Sequence, residues 1–156
     1  MDIVAALFIE GIDLSSPFPG GPTKIDLTGV HFSATPPSPP PVTLSPHMIV
    51  LVRCPEGEDG NGVLEVVFRQ APKPGDEGGE GGEGGEGEQM ARNVQPLQLE
   101  PGKFTYRLVR AELELDDYGT IEAHCRIGGG PTTVVPYTLV PGPAAEAAPP
   151  ITPAGE

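Results

Sequence analysis

Positive charge is scarce in this chain. Lys and Arg supply 9 of the 156 residues against 22 Asp and Glu, a formal net charge of −13 at pH 7. No basic patch exists to release phosphate counterions, which argues against nucleic-acid binding. The same charge repels anionic membranes at long range, so the expected partners are proteins, basic or neutral in character. Long hydrophobic runs are missing as well. Nothing approaches the roughly 20 apolar residues of a membrane span. The opening apolar run ends at Glu10, and its only early charge is Asp2. A secretory signal needs a basic start and a longer apolar stretch, so these residues read as a strand and the expected compartment is the cytoplasm. Cysteine is limited to Cys54 and Cys125. In a reducing compartment both are expected as free thiols, packed as small hydrophobes in apolar strands. A disulfide joining two sheets is the alternative for an oxidising compartment. Apolar residues make up only 37%, below the roughly 45–50% of ordinary globular chains.

Glycine and proline are plentiful, 22 and 21 residues respectively. Their cost inside helices excludes a helical bundle or coiled coil. They are clustered, at 16–22 (SPFPGGP), 35–46 (TPPSPPPVTLSP), 72–88 (PKPGDEGGEGGEGGEGE) and from Pro141 onward. Residues 1–140 read as one domain, with 72–91 a flexible Gly/Glu-rich loop insertion and 141–156 a disordered Pro/Ala-rich tail. Between the clusters the chain reads as about eight strands. They are Val4–Ile12, Lys24–Ser33, Met48–Cys54, Gly62–Gln70, Val94–Leu99, Lys103–Leu115, Thr120–Ile127 and Thr132–Val140. The clearest alternation places Ile121, Ala123, Cys125 and Ile127 on one face and Glu122, His124 and Arg126 on the other. In Gly62–Gln70 the inward residues are Leu64, Val66 and Phe68. Met48–Cys54 is apolar on both parities and suits a strand covered on both faces. Pro96 assigns its strand to an edge, and Gly29 suggests a bulge within the second strand. Half-apolar strands with Gly/Pro turns and no helix predict an all-β fold. The architecture expected is a two-sheet antiparallel immunoglobulin-like sandwich of about 7–8 strands, with a closed barrel as second choice.

The order of VAALFIEGIDL, IDLTGVHFSA, PPSPPPVTL, HMIVLVRC and DYGTIEAHCRIGGGPTTVVPYTLV resembles a loosely defined family of small, uncharacterised bacterial β-sandwich proteins. The resemblance covers most of the chain outside the acidic tract and tail. It implies the fold and no site. The Gly/Glu tract departs from it as an insertion at a strand-to-strand loop. A fainter likeness joins residues 117–123 to the D-x-G-x-Y-x-C corner of immunoglobulin domains. Ile121 stands where that motif has its Tyr, and Ala123 where it has its Cys.

Several groups could carry chemistry, and each has a plainer reading. Asp76, Glu77, Glu80, Glu83, Glu86 and Glu88 lack the fixed ligand spacing of a calcium loop and read as a solvated tract. Pro36–Pro41 has P-x-x-P spacing and reads as a stiff polyproline II connector. His31, His47 and His124 show no metal-ligand spacing with Cys54 or Cys125. His124 and Cys125 leave opposite faces of one strand. Asp116 and Asp117 read as a turn. The chain carries no nucleophile elbow, P-loop, dinucleotide or zinc-protease motif. No catalytic, cofactor-binding or metal residue is assigned. The function expected is a non-catalytic, soluble interaction or structural module. The alternatives are a virion or secretion-machine component, and behind that a small hydrolytic or ligand-binding enzyme.

Overall fold

A computed structural model describes residues 1–73 and 87–143. The Gly/Glu tract at 74–86 and the tail at 144–156, expected above as loop and disordered tail, lie outside the described residues. The strands in chain order are β1 (Asp2–Ile9), β2 (Gly11–Ser15), β3 (Lys24–Thr28), β4 (Ser33–Ala34), β5 (Val42–Leu44) and β6 (His47–Arg53). They continue as β7 (Asn61–Gln70), β8 (Gln89–Gln98), β9 (Phe104–Arg110), β10 (Leu113–Leu115), β11 (Gly119–Ile127) and β12 (Thr133–Leu139). The fold is all-β, with no helix among the described residues. One sheet has the order β1-β6-β9 and another β4-β12-β11-β7-β8, while β2-β3 and β5-β10 form two-stranded pairs. Every pairing is antiparallel except β4 on β12. No sheet closes into a barrel, so the second-choice architecture is set aside.

Twelve strands among the described residues replace the expected seven or eight, and the extra ones have local causes. Val4–Ile12 divides at Glu10, whose amide bonds to the carbonyls of Thr28 (3.0 Å) and Gly29 (3.2 Å). Lys24–Ser33 divides at Gly29, the first residue past the β2–β3 pairing, which ends at Thr28. The Gly29 φ is +63°, in the left-handed region that favours glycine, and the flexible Glu10 carboxylate lies over it, 2.3 Å from where a Cβ would stand. Lys103–Leu115 divides at Ala111–Glu112, where the apolar phase changes, and β10 leaves β9 to pair with β5. The proline-rich connector supplies β5. Its other residues, 37–41, run as consecutive bends and not as an unbroken polyproline II helix. Strand β8 begins at Gln89, inside the span read as loop, and occupies a sheet edge as Pro96 required.

The inward parities are those of the alternation. Leu64, Val66, Phe68, Ile121, Ala123 and Cys125 are fully buried and meet Phe8, Met48, Val50 and Val52 of the three-stranded sheet in one cluster. Side-chain contacts within this cluster span the sheets. The Phe8 and Tyr137 rings stand 4.7 Å apart, and Cys125 Sγ lies 4.0 Å from Met48 Sδ. Leu113 and Leu115 of β10 complete the cluster. No helix is long and apolar enough to cross a membrane among the described residues.

Candidate functional site

The three histidines go to three different places. His31 lies just past Gly29; its Nδ1 lies 2.7 Å from the Gly29 carbonyl and its Nε2 3.2 Å from the Tyr137 hydroxyl. Burial, with the Glu10 charge adding to it, raises the Tyr137 pKa above its ordinary value. His47 starts β6 and lines a shallow depression with Ile9, Ile12, Leu108 and Arg110. His124 faces outward on β11, with Nε2 3.0 Å from a Glu122 carboxylate oxygen.

Cys54 and Cys125 are free thiols, and both are buried. Cys54 Sγ points to the Pro55 carbonyl at 3.6 Å. Burial pushes the Cys125 thiol up to about 12. Because its folded pKa is raised, the stability it contributes is present below the unfolded value near 9 and is lost as pH rises toward 12. Asp117 accepts a bond from Lys73 Nζ at 2.9 Å and one from the Tyr118 amide at 2.8 Å. The Lys73 contact comes first in holding its carboxyl below the usual range. Asp116 beside it is exposed. Among the described residues no three His, Cys, Asp or Glu side chains gather to hold a metal.

The outer faces of the two larger sheets differ sharply. On the five-stranded sheet, Glu65, Val67, Arg69, His124, Arg126 and Thr132 line an open depression. Glu65 pairs with Arg92 and, at 2.9 Å, with Arg126. The Arg92 bond leads and Arg126 adds to it in holding the Glu65 carboxyl below its ordinary value. These charges stand among exposed apolar residues, since Val63, Val94 and Val134 share the outward phase of this face. On the three-stranded sheet, strand register sets the outward rows as Asp2–Arg53–Phe104, Ala5–Leu51–Tyr106, Leu7–Ile49–Leu108 and Ile9–His47–Arg110. The two middle rows carry no charge.

Ile49 is fully buried on that outer face, as the two-sided apolarity of β6 required, and Ile12 of β2 stands at the same end. The other end is open. Phe104 is 64% exposed and Val4 54%, while Leu108 remains 39% exposed. Leu14 of β2 and Phe18 of the β2–β3 connection are exposed as well. Strand patterns alone did not single out this surface. Its signal is apolar residues on both parities of β1 and β6, joined to a β9 whose Phe104-Tyr106-Leu108 phase turns away from the core. Compared with known proteins, the chain matches no family model and no curated sequence.

Proposed function

We propose that the chain is a non-catalytic immunoglobulin-like β-sandwich that serves as a protein-interaction or structural module. The strand orders support the sandwich reading. β1-β6-β9 set against β8-β7-β11-β12 corresponds to immunoglobulin strands A, B and E against C′, C, F and G. Asp117-Tyr118-Gly119 sits at the start of β11, the position of the immunoglobulin corner. The sequence likeness to small bacterial β-sandwich proteins points the same way.

One observation carries the functional part. Large exposed apolar side chains stand on the outer side of the three-stranded sheet, with Phe104 foremost, on a face whose two middle rows carry no charge. Exposed aromatic anchors of this kind mark protein contacts. The test is affinity capture with cross-linking, comparing the natural chain with Phe104→Glu. The module reading expects a protein partner that is captured by the natural chain and lost with the variant. Capture of nothing, or capture indifferent to Phe104→Glu while the variant remains folded, overturns it.

A further inference from the structure

Strand β9 is an edge: among the described residues its only sheet neighbour is β6. The Cys54 amide donates to the Lys103 carbonyl at 2.9 Å, so odd-numbered residues of this segment direct their backbone groups toward β6. Even-numbered residues therefore direct theirs outward, where an added strand would bind. The two central outward carbonyls are already occupied by side chains. Tyr106 O accepts from Arg107 Nη1 at 3.0 Å, and Leu108 O accepts from Gln95 Nε2 of β8 at 3.0 Å.

Both donors are held in place. Gln95 Nε2 also donates to Asn93 Oδ1 at 3.0 Å. Arg107 reaches Thr105 Oγ1 at 3.3 Å and, across to the other sheet, the Pro96 carbonyl at 3.4 Å. The side of the molecule between β8 and β9 is thus fastened by polar side chains. The opposite side is closed by the Phe8–Tyr137 aromatic contact.

We infer that Gln95 and Arg107 guard a latent self-association edge, and that the occupant they exclude is β9 of a second copy of this chain. The β9 sequence is self-complementary. An antiparallel pair centred on Tyr106 sets Phe104 opposite Leu108, Tyr106 opposite Tyr106 and Thr105 opposite Arg107. Aromatic and apolar residues then meet across the strands, and no arginine opposes another. The outward-directed residues Phe104, Tyr106 and Leu108 fall opposite one another in this register, as backbone pairing demands. Inward-pointing charge on an edge strand is a recognised way of suppressing such pairing. The inference stands apart from the functional reading, since a chain with any other role would carry the same guarded edge.

Sedimentation equilibrium tests it on the natural chain, Gln95→Glu, and Gln95→Glu combined with Arg107→Thr. Far-UV circular dichroism checks that each is folded. Freeing two acceptors on each copy is expected to tighten dimerisation by about tenfold or more in the double variant. Gln95→Glu alone should give a smaller shift in the same direction. Adding Tyr106→Lys sets two ammonium groups opposite each other and should return the double variant to monomer. A folded double variant that sediments like the natural chain overturns the inference, as does a dimer that Tyr106→Lys leaves intact. Should the double variant fail to fold, Gln95→Glu decides: sedimentation unchanged from the natural chain rejects the guard.

Discussion

Replacing Phe68 with alanine is expected to destabilise the fold by about 3–5 kcal/mol. Phe68 lies on β7, is fully buried, and belongs to the cluster that both larger sheets share. Its strand is held on both sides, by Ala123 of β11 and Ala91 of β8 in register, so the backbone cannot collapse far into the space left behind. The penalty therefore includes a cavity as well as the lost transfer free energy. Urea unfolding followed by circular dichroism would measure it. A loss below about 1 kcal/mol would place Phe68 at the surface, where single substitutions have effects of that size or less.

Gly60→Ala should be nearly as damaging, for a different reason. Gly60 has φ +78° and its own carbonyl accepts the Leu99 amide at 2.8 Å. A Cβ would stand 1.8 Å from the Leu99 carbonyl oxygen. Unlike a flexible side chain, that oxygen cannot swing away without breaking the start of the β7–β8 pairing. Adding the clash to the left-handed backbone, the expected loss is about 3 kcal/mol or more. The same unfolding experiment reads it. A variant within about 1 kcal/mol of the natural chain would mean that Gly60 and Leu99 do not approach as described.

The parts of the fold that were legible in advance are those where burial alone dictates side-chain choice. β7 and β11 alternate because one face of each is sealed and the other is wet, and both parities of β6 are apolar because Ile49 is covered on the outer face as Met48 is in the core. Pro96 announced an edge because it has no amide to donate. The breaks were harder to read. Glu10, Gly29 and Ala111 end strands through contacts with residues distant in sequence or through a change of sheet, and local alternation carries no record of either. The first half of β8 and the short β5 were hidden for the opposite reason. Edge strands need little apolar content, so Gln89–Asn93 and the proline-flanked Val42–Leu44 look like loop.

The surfaces were less legible still. Phe104, Tyr106 and Leu108 share a phase that suits either a core face or an exposed one. Val109, on the other parity, is the buried residue. Which of the two faces inward depends on where β6 and β10 place the strand. The Gln95 bond to the Leu108 carbonyl arises only because two edges meet in space, a relation with no fixed sequence spacing.

The meeting of the two larger sheets in one core is tested most directly by nuclear Overhauser contacts from the Met48 methyl group. With Cys125 Sγ 4.0 Å from Met48 Sδ, that methyl should show strong contacts to the Cys125 β-protons of the opposing sheet. Met48 contacts confined to its own sheet neighbours on β1 and β9, with none to β11, would contradict it.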